Sequence, residues 1–347
     1  MNAPRLRALS TALPPYALRQ ADIESRARGY FAGAAALDLD RLMPVFANAG
    51  IEARYSCVPL EWYDRPHGWA ERNELYLDNA VRLLERAARG ALATAGLVPK
   101  QIDAVVTVST TGIATPSLDA RLLNRLGLRS DVTRLPMFGL GCAGGVAGLA
   151  RAADLARARP GANILFLVVE LCALCFRRGD SSKSNVVATA LFGDGAAAGI
   201  VSSDGDGPIL GAAGEHTWPD SLAVMGWDVM EDGLKAIFSR DIPALVRSEL
   251  RTAADMFLAR HGLVLDAIDH VVCHPGGVKV LSAIEEAFTL TTGALDHARA
   301  VLRDCGNMSA ATVLFVLERT LKAGARGRML MSALGPGFTA GFLVLES

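Results

Sequence analysis

The sequence predicts an α/β protein made of two similar halves, each alternating strand and helix. Two observations carry this expectation. The first is an internal repeat: Ile102-Asp103-Ala104-Val105-Val106 returns 166 positions later as Ile268-Asp269-His270-Val271-Val272, and Gly141-Cys142 returns 165 positions later as Gly306-Asn307. Ile164, which starts an apolar strand, stands 22 positions after Cys142, and Met329, which starts another, stands 22 after Asn307. Two equal spacings argue for duplication over shared composition. The second observation is that runs such as Ile164-Leu165-Phe166-Leu167 do not alternate with polar residues, as expected of central strands buried on both faces. Helix and sheet layers related by a pseudo-twofold axis follow. The last strands, 195–201 and 337–343, match at an offset of only 142, so the first half carries about 23 extra residues between Glu170 and Gly193. We place the two halves at 1–205 and 206–347.

In chain order, residues 5–13 read as a first strand. Helical text runs from Gln20 to Asn48, broken by Gly29 and Gly33. The stretch from Trp62 to Trp69 carries Pro66 and Gly68 and reads as loop. Residues 71–95 have helical period, with Leu75, Ala80, Leu83, Leu84, Ala87 and Leu92 recurring near i, i+3 and i+4. The short apolar run 135–138 reads as strand, and residues 146–159 read as a helix ended by Pro160-Gly161.

Cys142 therefore stands where a strand turns into a helix, in Gly139-Leu140-Gly141-Cys142-Ala143-Gly144-Gly145. Glycines there permit a tight turn and close approach of a substrate. Free N–H groups at a helix start favour thiolate over thiol. By the repeat, Asn307 occupies the equivalent helix start facing the same crevice. His274, in His274-Pro275-Gly276-Gly277, ends a buried strand at a turn. Helix starts and strand ends are where α/β proteins place their chemistry. Singly, a buried cysteine, a histidine bonded to a carbonyl and an N-capping asparagine are ordinary. Together they make a Cys-His-Asn constellation.

Composition narrows the class. The 347 residues are 51% hydrophobic with net charge −1 and no basic cluster, which argues against nucleic acid as a partner. The N-terminus leads into no long apolar run, so no signal peptide is expected. The most apolar segment, 164–176, contains Glu170 and is too short to span a bilayer. Cys172 and Cys175 form a lone C-x-x-C without a second pair, a weak metal signal. The expectation is a reduced, soluble, cytoplasmic protein with no structural metal.

Five motifs now stand in order: Gly-Cys142-Ala-Gly-Gly, Leu191-Phe192-Gly193-Asp194-Gly195-Ala196, His274-Pro275-Gly276-Gly277, Gly306-Asn307-Met308-Ser309 and Gly335-Pro336-Gly337. They resemble the type III polyketide synthases of the chalcone synthase family. The resemblance implies a thiolase-type fold with layered α-β-α-β-α core, a homodimer, and decarboxylative condensation of malonyl-CoA onto an acyl-CoA starter. It implies no cofactor and no carrier protein. Cys142 would carry the acyl chain, paired with His274 as thiolate and imidazolium. His274 and the Asn307 amide would hold the enolate left by decarboxylation. Phe192 matches an aromatic gatekeeper between CoA tunnel and cavity, and Gly337 falls with the substrate site. Arg54 in Ala-Arg-Tyr resembles a phosphate-contacting arginine, with Lys279 and Gly277 as further CoA candidates.

Departures from plant members reshape the expected pocket. Thr115 stands for a methionine that enters the neighbouring subunit, Cys172 and Cys175 for threonines, Trp227 for glycine and Ala236 for phenylalanine. The pattern resembles bacterial members that take fatty acyl starters and make alkylpyrones or alkylresorcinols. The alternative is a condensing enzyme like β-ketoacyl carrier-protein synthase III, which shares fold and triad but needs a carrier protein. A Cys-His-Asn hydrolase and a non-catalytic relative are further alternatives. The repeat architecture disfavours the first, and the intact triad the second.

Overall fold

The computed structural model describes residues 3–31 and 38–347. Strand β1 (Arg5–Ala12) leads to β2 (Tyr16–Arg19), helices α1 (Gln20–Phe31), α2 (Leu39–Leu42) and α3 (Pro44–Asn48), and β3 (Ala53–Ser56), which pairs with β2. Gly29 lies inside α1 and does not break it; one glycine costs a helix only modestly. Gly33 lies outside the described residues. The expected loop at 62–69 is partly helical. Leu60–Asp64 is a 3₁₀ turn held by buried Tyr63, and α4 (Trp69–Ala95) starts at the loop's last residue. Along α4, Tyr76, Ala80, Leu83, Leu84, Ala87 and Ala91 are buried at helical spacing, with Tyr76 in place of the half-buried Leu75.

The first half continues through β4 (Ala104–Val108), α5 (Leu118–Leu126), β5 (Thr133–Met137), α6 (Gly144–Ala158), β6 (Ile164–Leu171), α7 (Lys183–Leu191) and β7 (Asp194–Ser202). The second runs through β8 (Ile209–Thr217), a hairpin of β9 (Met225–Met230) and β10 (Gly233–Phe238), α8 (Ile242–Arg260), β11 (His270–Cys273), α9 (Val278–Phe288), α10 (Asp296–Cys305), α11 (Thr312–Lys322), β12 (Arg328–Gly335) and β13 (Thr339–Glu346). The extra residues of the first half are the 3₁₀ turn Cys172–Cys175 and α7; β12 passes to β13 through a short turn instead. The 205/206 boundary falls in the turn between β7 and β8.

The main sheet runs β11-β12-β13-β8-β1-β7-β6-β4-β5. Read outward from its middle, β1-β7-β6-β4 mirrors β8-β13-β12-β11. In each set the innermost pairings are antiparallel and the outermost parallel. One residue pair, Arg5 with Ile209, joins the two half-sheets. α6 and α11 pack between the half-sheets, α4 and α5 cover one outer face, and α8 and α9 cover the other. This is the five-layer arrangement that the resemblance implied. β6 shows why its sequence does not alternate: Ile164, Phe166 and Val168 enter the core around α6, while Leu165, Leu167 and Val169 enter the core around α4.

Two features of the middle layer position the site. At Gly145 of α6 a Cβ would lie 2.2 Å from the Ala310 carbonyl oxygen, so only glycine lets the two repeated helix starts meet. Asp194 at the start of β7 is buried and accepts from the N–H groups of Cys57 and Ala173, each at 2.8 Å. It thus ties the segment after β3 to the 3₁₀ turn after β6. Asp194→Ala takes the acceptor from the buried Cys57 N–H and the part-buried Ala173 N–H. Urea denaturation is expected to show a loss of about 2–6 kcal/mol, from about 1–3 for each of the two orphaned groups. A loss below ~1 kcal/mol would refute this role for Asp194.

Candidate active site

Cys142 sits in a 3₁₀ turn, Gly141–Ala143, immediately before α6. Gly141 has φ 46°, and a Cβ there would lie 2.6 Å from Cδ of Pro336, so the turn is glycine-dependent and clamped by the β12–β13 turn. The Gly141 N–H donates to Thr110 Oγ1 at 3.1 Å. The Cys142 thiol donates to Ser309 Oγ at 3.5 Å.

His274 follows β11, and its N–H extends the strand pairing to the Ser332 carbonyl at 2.8 Å before Pro275 breaks it. Asn307 follows α10 and is stitched to the end of α7: its N–H donates to the Leu191 carbonyl at 2.8 Å, and its carbonyl accepts from Gly193 at 2.9 Å. The Ser309 N–H donates to Asn307 Oδ1 at 2.8 Å. That contact fixes the amide, and Nδ2 faces the His274 turn, 3.3 Å from the Gly276 carbonyl.

Cys142, His274 and Asn307 line one cavity, of about 1620 Å³ counted out to its mouth. The repeat therefore does bring the two helix starts to one crevice. Val186, Val187, Leu191, Met225 and Phe238 give it apolar walls, and exposed Arg41, Arg240 and Lys279 stand at its rim. Gly277 lines it at the start of α9.

The charge state differs from the expected thiolate–imidazolium pair. Burial pushes the Cys142 thiol up to about 12, against which its bond to Ser309 is the lesser effect, and burial pushes the His274 imidazole down to about 3. Neither ring nitrogen of His274 has a hydrogen-bond partner among the described residues. Burial thus favours the neutral form of both groups, because it takes the thiolate and the imidazolium out of the water that would stabilise them.

Several pocket expectations need correction. Arg54 does not line the Cys142 cavity and borders only the pocket beyond Phe192. It is buried and donates to the carbonyls of Thr189 (2.6 Å), Ala190 (2.7 Å) and Phe192 (3.0 Å) and to Gln20 Oε1, so it braces the end of α7. Thr115 is exposed on the loop after β4 and lies outside its own chain's cavity. Gly337 does not line it either; its carbonyl is taken by Ser221 Oγ at 2.9 Å. Phe192 is not on the Cys142 wall. It packs between Trp227 (5.7 Å between ring centres) and Phe238 (5.5 Å), and its other side bounds a second, small apolar pocket with a free interior of about 50 Å³. Cys172, Ala173, Ala188, Phe176 and Tyr63 line that pocket with it. Cys175 is buried outside both cavities. Trp227 and Ala236, paired across the hairpin, lie behind Phe192 and line neither cavity.

Sequence reasoning missed Phe238, Arg41, Arg240 and Ser309. Ser309 alone had a signal, two positions after Asn307 in a quoted motif. The others come from segments with no motif.

Comparison with known proteins agrees with the geometry. Residues 64–205 match the model for the N-terminal domain of chalcone and stilbene synthases, and residues 210–347 match that for the C-terminal domain. A putative chalcone synthase of Bacillus subtilis (strain 168) is 38% identical, with 97% of each chain covered. A 1,3,6,8-tetrahydroxynaphthalene synthase of Streptomyces peucetius subsp. caesius is 41% identical over 98% of this chain and 92% of that protein. The crystal structure of the 1,3,6,8-tetrahydroxynaphthalene synthase of Streptomyces coelicolor A3(2), a bacterial type III polyketide synthase, superposes with TM-score 0.94 at 29% identity over 99% of both chains.

Proposed function

The chain belongs to the chalcone and stilbene synthase family of type III polyketide synthases, which are acyltransferases, and on that premise we propose that it loads a fatty acyl-CoA on Cys142, extends it with malonyl-CoA and releases a pyrone or resorcinol. In this reading the Cys142 thiol attacks the starter thioester as His274 takes its proton, and CoA leaves as the thiol. Proton transfer accompanies attack, since burial favours the neutral form of both groups. Malonyl-CoA then loses CO₂. The enolate oxygen is held by a His274 N–H and the Asn307 Nδ2–H, and its carbon attacks the Cys142 thioester. The C–S bond breaks, Cys142 regains a proton as the thiol, and the chain, two carbons longer, stays on CoA until Cys142 takes it up again for the next round. Arg41, Arg240 and Lys279 at the rim suit the CoA phosphates, and the cycle uses no cofactor or carrier protein.

The observation behind the fatty starter is the apolar pocket beyond Phe192. Movement of Phe192 would join this small pocket to the Cys142 cavity and enlarge it, giving an acyl tail an apolar wall to lie against. Each buried methylene favours binding by about 0.8 kcal/mol while room remains. A homodimer belongs to the same proposal. It is supported by Ile113 (49% exposed) and Phe138 (63%), apolar residues on the loops beyond the paired ends of β4 and β5, the first loop also carrying Thr115.

The names of the tetrahydroxynaphthalene synthases favour a second reading. A ten-carbon bicycle oxygenated on alternate carbons is what two-carbon units alone supply, so malonyl-CoA would prime itself. One experiment separates the two: product mass spectrometry with hexanoyl- to palmitoyl-CoA against malonyl-CoA alone. We expect the longer starters to win, and Cys172→Phe to shorten the preferred chain. No advantage for any acyl-CoA over malonyl-CoA would leave the self-primed reading standing and remove the fatty one.

A further inference from the structure

Glu170, next to last in β6, is fully buried, and the condensation chemistry gives it no part. Its Oε2 accepts from the Thr110 N–H at 3.0 Å and from Thr111 Oγ1 at 2.8 Å, while Oε1 has no partner among the described residues. Thr111 Oγ1 in turn accepts from the Leu171 N–H at 2.9 Å, which locks the pair to β6. Thr110 Oγ1 accepts from the Gly141 N–H at 3.1 Å, one residue before Cys142. An unbroken chain of bonds therefore runs from a buried carboxyl to the nucleophile's turn.

We propose that Glu170 is a positioning residue for Cys142: its carboxyl fixes Thr110 and Thr111, Thr110 fixes the nucleophile's turn, and its protonation state sets how easily Cys142 ionises. The inference rests on the reading of Cys142 as nucleophile. Both partners of Oε2 donate to it, so a proton on the carboxyl belongs on Oε1. Burial pushes this carboxyl up to about 8, above the opposing effect of its bonds to Thr110 and Thr111, so it is neutral at pH 7. The titratable groups that feel it are Tyr76 of α4, Cys142 before α6, and Cys172 and Cys175 of the turn after β6. Negative charge on Glu170 opposes ionisation of each of them. A neutral Glu170 adds no such opposition, and an ionised one, above about pH 8, does.

Iodoacetamide labelling of Cys142, mapped by peptide mass spectrometry from about pH 6 to about pH 10, tests this on the full chain without any CoA thioester. In Glu170→Gln the side-chain carbonyl can still accept both donors but cannot ionise. Its Cys142 should label like wild type at pH 7 and outpace wild type above pH 8, by about threefold to tenfold. Thr110→Val should lower labelling and the kcat for malonyl-CoA turnover by about tenfold, with KM unchanged. Thr110→Ser should restore both. A Glu170→Gln profile that superposes on wild type overturns the proposal. So does a Thr110→Val variant that behaves as wild type, or one that serine does not rescue. If circular dichroism shows that Glu170→Gln does not fold, the Thr110 pair decides alone. A wild-type protein that labels as described but condenses nothing would refute the proposed function and not this inference.

Discussion

Cys142→Ala is expected to abolish starter loading and to lower condensation by at least about 10⁴-fold, the scale of losing a covalent nucleophile. Alanine fits the 3₁₀ turn, since it removes only Sγ, and the backbone is held independently by Thr110 and Pro336. The one described hydrogen bond lost is that to Ser309. His274 and Asn307 stay in place, so malonyl-CoA decarboxylation should partly survive. Acyl-enzyme mass spectrometry and CO₂ release measure the two halves separately. Full condensation by the alanine variant would remove Cys142 from the mechanism.

Asn307→Ala and His274→Ala are each expected to slow decarboxylation by about 10²-fold, as for loss of an oxyanion-hole donor. The Asn307 amide cannot turn over without giving up the Ser309 N–H, so Nδ2–H is the group it offers the cavity. Asn307→Asp puts an acceptor there and should be worse than alanine. His274 works as a neutral donor. With its imidazole pushed down to about 3, it should cause no acid limb near pH 6.5 in the decarboxylation rate. Unchanged decarboxylation in both alanine variants would take them out of the site.

The two predictions rest on residues that were legible before any coordinates. Cys142, His274 and Asn307 each stand at a junction between elements, and local chain chemistry makes such junctions: glycines on both sides of Cys142, Pro-Gly-Gly after His274, Gly306 before Asn307. The repeat then says which junctions are equivalent. The pocket was read less well, because its wall is assembled from side chains that no spacing relates. Arg54 looked like a surface cation and is a buried brace for the end of α7, since three backbone carbonyls converge on it. Cys172 and Cys175 looked equivalent, yet only Cys172 borders a cavity.

The sequence alone is sufficient for the two-half α/β plan, the buried strands and the triad, because periodicity, duplication and turn chemistry are written along the chain. Three things were decided by packing. Phe192 was turned away from Cys142 by contact with Trp227 and Phe238, residues of a hairpin that the repeat does not include. Cys142 and His274 were driven toward their neutral forms because the assembled layers bury both, a property of the packing and not of any motif. And Glu170, unremarkable as one polar residue in an apolar run, was joined to the nucleophile because β4 and β6 lie side by side, which places Thr110 and Thr111 against its carboxyl.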